Sequence, residues 1–391
     1  MPEAVILAAC RTAIGTSFKG SLVGTSAHEL ADTVITEVVR RSAIDPALLD
    51  DVILGEVMQG GGDIARHAAI RAGLISVPGL AHQRQCASSL SAIQTAAAGI
   101  RAGMDRAVIA GGVESVSTAP AQRHRIPGTQ DWQDPWMPPS HPATPEAPAD
   151  DMSVTVGWNT ARLAGISRED MDAWALRSHQ RAIQAIDEGR FREEIVPLTV
   201  RDAAGDSFVF DTDEHPRRDT SPERLAALKP LHPEIPGFSI TAGNSSGIND
   251  AGAALVLASD ELAEREGLRP IGIVRSWASV GVDPVETGLA PTKAIPKALE
   301  RAGLSLDDVE LFEINEAFAS VCVAATRILG IDPAIVNISG SGCSLGHPVA
   351  ATGARMVTTL LHDLRRRGGG IGVAALCAGG GMGSALVVET L

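Results

Sequence analysis

Near its C-terminal end the chain reads "LCAGGGMGSA", which sets one thiol, Cys377, against four glycines in the five positions from Gly379 to Gly383. A tight turn between strands would need glycine, and a cysteine is also an ordinary small buried side chain. The stretch has a chemical reading too. Backbone N–H groups of a glycine run can converge on an anion as an oxyanion hole requires, and a thiol beside them could pass a proton. A second thiol, Cys86, lies in "QRQCASSLSAIQ", where a strand gives way to a helix. N–H groups and the positive end of the helix favour a thiolate there, which predicts a pKa below the free value of about 8.5. The alternative is a structural cysteine in the core. "SLGHPVAATGARM" fixes His347 between Gly346 and Pro348, just ahead of a helix. An imidazole aimed at a cysteine is the usual route to a nucleophilic thiolate, though a lone histidine can equally be a cap. "FEINEAFAS" ends a strand at Asn315 and Glu316, with Phe318 beyond. That pair could present hydrogen-bonding groups into a cleft, or cap a helix.

These residues need scaffolding, and the pattern around them alternates between strand and helix. "AVILAACRT" reads as a buried strand, and "AHELADTVITEVVRRSAI" as a helix with Leu30, Val34 and Val38 on one stripe. "DVILGEVMQ", "HAAIRAGL", "ASSLSAIQTAAAGIRAG" and "RAVIAGGVESVS" continue as strand, helix, helix and strand. This is an α/β layered pattern. It then repeats: "KAIPKALERAGLSLDDVELFEINEAFA" echoes "LADTVITEVVRRSAIDPALLDDVILGEVMQ", and the segments bearing His347 and Cys377 echo those bearing Cys86 and "AGGVES". Two similar halves are expected, with the reactive residues at matching strand-to-helix junctions. Between them, residues 120–151 are proline-rich, with Trp132 and Trp136 and no clear periodicity, followed by helix and polar sequence to about Pro236. That excursion reads as a lid or substrate domain.

Composition narrows the classes. With 47 acidic against 33 basic residues and a net charge of -14, binding to nucleic acid or to an anionic membrane is not expected, and an anionic ligand needs a local cationic patch. Arg217, Arg218, Arg224 and Lys229 offer one. No run approaches the ~20 apolar residues of a membrane span. Five scattered cysteines without a CxxC argue against a disulfide framework or a zinc ribbon, and a cytoplasmic location is expected.

Five motifs in order, "QRQCASSLSA", "TAGNSSGINDAGA", "EINEAFA", "LGHPVAATGAR" and "CAGGGMGSA", resemble those of thiolases, and "RTAIGTSFKGSL" resembles that family's opening. The resemblance implies duplicated α/β halves in an α-β-α-β-α layered arrangement with an inserted loop domain. It places the N-terminal half at 1–117 continued by 248–270, the loop and coenzyme A-binding domain at 118–247, and the C-terminal half at 271–391. It also implies a two-step Claisen-type exchange between thioesters. Cys86 would be acylated, His347 would activate it, and Cys377 would act as acid and base. Asn315, through a bound water, and His347 would hold the enolate thioester oxygen, while the N–H groups of Cys86 and Gly379 would hold the acyl-enzyme oxyanion. Ser246, Ala242 and Phe318 would contact the substrate or its pantetheine, and Arg217 the nucleotide. Coenzyme A is then a substrate, with no cofactor and no metal, and the assembly a homodimer or homotetramer, although no counterpart of a tetramerising hairpin stands out. Two features depart from the family's pattern. Asp151, Ser153 and Gly157 replace the histidine, glycine and glutamate of a loop found in acetoacetyl-specific members, and Cys343 replaces an aliphatic residue. The competing readings are an acetoacetyl-specific acetyltransferase, a ketoacyl synthase, a non-catalytic acyl-coenzyme A binder and a dithiol switch.

Overall fold

The same strand order occurs twice in the computed structural model, which describes residues 2–201 and 204–390. In the first half β1 (Ala4–Thr12), α1 (Ala27–Ser42), β2 (Asp51–Gly55), α2 (Ile64–Arg71), β3 (Gly79–His82), α3 (Ser88–Arg101) and β4 (Ala107–Glu114) follow one another. After a long insertion carrying α4 (Arg168–Asp187), β5 (Asn249–Ser259) returns to this half. The second half runs β6 (Gly272–Gly281), α5 (Pro291–Ala302), β7 (Leu311–Ile314), α6 (Ala319–Leu329), α7 (Thr352–Arg366), β8 (Gly370–Ala378) and β9 (Met382–Thr390). The first sheet has the order β1-β5-β4-β2-β3, with two antiparallel pairings and then two parallel ones. The second has β6-β9-β8-β7, antiparallel twice and then parallel, and Val336 bridges in parallel to Phe312 where a fifth strand would lie. Among the described residues, the halves join edge to edge through the pairs Val5–Ile273 and Ile6–Gly272.

Alternation along the strands divides the core into two outer layers and a shared central one. On β8, Val373, Ala375 and Cys377 face an outer cluster with α5 and α6, while Ala374, Leu376 and Ala378 face the centre. On β1, Val5, Ala8 and Cys10 face α1, whereas Ala4, Ile6 and Ala9 face the centre. The central layer is α3 and α7, which are buried on nearly every face. A helix enclosed all round needs small side chains where it meets another, and both supply them. A Cβ on Gly353 of α7 would stand 2.5 Å from the backbone nitrogen of Leu90 on α3. Surface helices read differently. α1 starts on a Ser26–Glu29 capping box and turns only Leu30, Val34 and their neighbours inward. The acidic connectors that echoed each other in sequence form equivalent 3₁₀ turns, Pro46–Leu48 before β2 and Leu306–Asp308 before β7.

The proline-rich segment departs from expectation. It contains a short antiparallel hairpin, with His124 and Arg125 paired to Gln133 and Trp132. Arg123 and Arg125 both stack on Trp132, and His124 stacks on Trp136. Two-residue strands held by cation–aromatic contacts leave no alternating pattern for a sequence reading to find.

Arg11 ties the insertion to the first half. Its fully buried guanidinium donates to Glu194 at 2.7 Å and bidentately to Asp213 at 2.8 and 2.9 Å, and Thr359 of α7 donates to the same Glu194. Removing the cation leaves two buried carboxylates uncompensated. Arg11→Ala should therefore lose about 3–5 kcal/mol of unfolding free energy in denaturant titration. A loss under ~1 kcal/mol would mean that the carboxylates find other partners.

Candidate active site

Strand β3 delivers the chain to a strained turn. Gln85 adopts φ 48, a left-handed conformation uncommon for a side chain of its kind. Ser88 locks the turn, donating to the Gln85 carbonyl at 2.6 Å and accepting from the Arg84 N–H at 2.9 Å. Cys86 is thereby presented at the start of α3, walled by protein yet partly open to solvent. Its sulfur faces two N–H groups, those of Gly379 and of Cys86 itself. The predicted low pKa is not found. Burial pushes the thiol up to about 11, the two N–H groups pull it the other way without prevailing, and the nearby charge of Glu114 adds to the rise. In the free protein Cys86 is a thiol.

His347 is held from three sides. Its N–H donates to Asn249 Oδ1 at 3.0 Å, its backbone bridges to Ile248, and its Nδ1 lies 2.7 Å from Thr352 Oγ1. The Thr352 hydroxyl donates its one proton to the Pro348 carbonyl at 2.7 Å, so this network assigns the ring proton to Nδ1, donating to Thr352. That leaves the Nε2 lone pair free, and Nε2 is buried without a hydrogen-bond partner. Burial, together with the charge of Arg355, pushes the imidazole down to about 3. It is a neutral base. The Asn315 amide lies beside the ring, with Nδ2 3.4 Å from Nδ1 and Oδ1 buried and unpartnered.

Cys377, next to last on β8, is paired in register with Gly383 and is 1% exposed. Burial, reinforced by the Cys86 sulfur, raises its pKa well above the usual thiol range. The glycines after it have separate duties. Gly380 and Gly381 take φ 88 and 73, and side chains there would strike the carbonyls of Ser140 and Val282 at 2.6 and 2.3 Å. Only glycine lets the loop turn this tightly while Gly379 aims its N–H at Cys86.

The segment from Ser245 to Asn249 stitches the other motifs together. Ser245 bridges to Phe318, the Ser246 N–H donates to the Ala317 carbonyl at 2.9 Å, and Asn249 holds His347. Ala242 and Arg217 line a cavity of roughly 360 Å³ whose wall also includes His179, His215 and Cys343. Of the four cations noted in the sequence, Arg218 pairs with Asp187 and Arg224 with Asp219, whereas Arg217 forms no ion pair among the described residues and its N–H donates to His179. Cys343 is a packed residue, 1% exposed, whose N–H donates to Glu316.

Asp151 acts as a cap. Its carboxylate accepts from the Ser153 N–H and hydroxyl at 2.9 and 2.6 Å, opening a π-helical turn over Ser153–Trp158, and it pairs with His232 at 2.7 Å. A Cβ on Gly157 would meet the Phe318 ring at 2.8 Å. Trp158 packs on Phe238, with centroids 5.4 Å apart. Sequence reasoning missed Thr352, Asn249 and Glu114. The first two were legible only as polar residues inside quoted motifs, and Glu114 passed as part of a glycine turn.

The thiolase N-terminal domain model matches residues 4–261 and the C-terminal domain model residues 268–390. The chain belongs to the thiolase family. This thiolase is 41% identical to an acetyl-CoA acetyltransferase of Pseudomonas aeruginosa, over 99% of both chains, and 41% identical to the cytosolic acetyl-CoA acetyltransferase of Mus musculus, over 98% of both. It superposes on the crystal structure of the Bacillus anthracis acetyl-CoA acetyltransferase with a TM-score of 0.92, at 41% identity, covering 100% of this chain and 99% of that one. It is an acyltransferase. Among the described residues no helix is long and apolar enough to cross a membrane.

The high thiol pKa has a direct readout. Alkylation of Cys86 by iodoacetamide in the free thiolase should keep rising with pH beyond about 9, because the thiolate fraction grows until the thiol titrates near 11. A plateau already reached at pH 7 would show the thiolate to be resident.

Proposed function

We propose that this thiolase cleaves 3-ketoacyl-coenzyme A through an acyl-Cys86 intermediate, and catalyses the reverse condensation by the same steps. The observation that carries the residue roles is the unpartnered, neutral Nε2 of His347 in a site where a thiol faces two converging N–H groups. His347 takes the Cys86 proton as the sulfur attacks the keto carbon, so no thiolate need persist beforehand. The N–H groups of Cys86 and Gly379 stabilise the tetrahedral oxyanion. The bond between the α-carbon and that carbon then breaks, and its electron pair forms the enolate of acetyl-coenzyme A. Asn315, through a bound water, and His347 stabilise the enolate oxygen, and Cys377 protonates the enolate carbon. Coenzyme A, delivering its thiol proton to the Cys377 thiolate, attacks acyl-Cys86; the departing Cys86 sulfur takes back the proton held on His347, and the shortened thioester is released. Coenzyme A would occupy the cavity walled by Arg217 and Ala242, with Ser246 and Phe318 nearer the thioester.

The two thiols separate by experiment. After incubation with an acyl-coenzyme A, Cys86→Ala should carry no added acyl mass, while Cys377→Ala should acylate fully yet fail to make or break the carbon–carbon bond. An acylated Cys86→Ala protein would overturn the assignment.

The preferred acyl chain follows from the altered loop. Asp151 spends its carboxylate on the π-helical turn and on His232, so it presents no imidazole to a short acyl group. Met152, Val154 and Trp158 around it are apolar and only partly buried. Substrates longer than acetoacetyl-coenzyme A should be cleaved at least as well as it is, each newly buried methylene contributing up to ~0.8 kcal/mol. The measurement is kcat/KM for thiolysis over a chain-length series, and a steep fall beyond four carbons would refute this reading.

A further inference from the structure

Glu114 ends β4 with its side chain fully buried. Its Oε1 accepts from the Met58 N–H at 3.2 Å and from Gln59 Nε2 at 3.3 Å, and its Oε2 accepts from the Ala350 N–H at 3.1 Å. Met58 and Gln59 belong to the first half, whereas Ala350 lies three residues past His347 in the second. All three partners are donors. An ionised carboxylate, which accepts at both oxygens and donates at neither, satisfies all three with no proton left to place. A glutamine would set its amide N–H against one of these donors, and a protonated acid would add an O–H for which these partners offer no acceptor.

The turn held in this way has no slack. A Cβ on Gly112 would stand 2.1 Å from the Ala350 carbonyl oxygen, and one on Gly55 would stand 2.7 Å from it. The His347 turn is thus pressed onto β2 and β4, beside the first turn of α3. Glu114 forms no ion pair among the described residues. The titratable groups that face it are Asp250 from β5, itself bound by Ser17 and Ser117, and the Cys86 thiol at the start of α3.

We propose that Glu114 is a positioning residue for acylation: as a carboxylate it fixes the His347–Ala350 turn over Cys86, and its protonation releases that turn. The proposal rests on Cys86 being the acylated nucleophile. Burial, with the charge of Asp250 adding, brings the Glu114 carboxyl up to about 7. The hold is therefore complete above neutral pH and lost as pH falls through 7. His347, at about 3, and Cys86, at about 11, produce no step there. Glu313 also sits at about 7, but it bonds to Arg355 and Ser341 and not to the His347 turn.

The test is the rate of acyl-Cys86 formation from saturating acetyl-coenzyme A, followed by rapid-quench mass spectrometry between about pH 5.5 and 8.5. The unaltered protein should lose rate as pH falls through 7 and level off roughly tenfold down, where Glu114 is protonated. Glu114→Gln should be about tenfold slower at pH 8, with no step near 7. Iodoacetamide labelling of Cys86 should move the opposite way, roughly threefold faster in Glu114→Gln at pH 8, because a charge opposing the thiolate has gone. A merely structural lesion would not pair slower acylation with faster labelling. The same acidic step in Glu114→Gln, or labelling slowed along with acylation, would overturn the proposal. If that variant does not fold, the unaltered protein decides, since a flat acylation rate from pH 5.5 to 8 would overturn it equally. Absence of any acyl-Cys86 would instead remove the nucleophile assignment on which the proposal stands.

Discussion

The closeness of two backbones governs this structure. The first turns of α3 and α7 meet where Gly353 presses on Leu90 and where Ser89 accepts from the Ala354 N–H at 3.0 Å. Just before α7, the His347 turn lies on Gly55 and Gly112 with no room for a side chain at either. Cys86 leads into one helix and His347 into the other, so the distance between the reactive groups is set by contacts between main chains, which cannot relax by changing rotamers. The central layer, the glycines of β2 and β4 and the anchoring carboxylate of Glu114 all serve that approach.

The electrostatics follow from the same enclosure. A site dry enough for N–H groups to act strongly on an oxyanion is also dry enough to disfavour a resident thiolate and imidazolium. Cys86, Cys377 and His347 are accordingly all uncharged in the free protein. Charge arises only as the reaction proceeds, where pre-aimed donors meet it.

The motifs around Cys86, His347, Asn315 and Cys377 were legible because each joins a special backbone to a special side chain, and such pairings stand out in a sequence. The layered halves were legible because strands and helices keep their periods and the acidic connectors repeat. What stayed hidden depends on packing between distant segments. The thiol pKa of Cys86 was misjudged because a helix terminus can be seen in sequence, whereas the burial that outweighs it cannot. The Asp151 ion pair was hidden because nothing local announces a partner 81 positions away in His232. The hairpin at His124–Arg125 escaped because two-residue strands carry no period.

The repeated strand order has one more implication. Each half presents a residue ahead of its central helix, Cys86 before α3 and His347 before α7, and another near the end of the strand that follows that helix, Glu114 on β4 and Cys377 on β8. An exact repeat would set thiol against thiol, or imidazole against imidazole, and two identical groups cannot pass a proton downhill. The chain keeps the twofold likeness in its backbone and breaks it in four side chains. Fusion of the halves into one polypeptide is what allows that inequality, since two copies of a single encoded half would have to carry the same residue at both places.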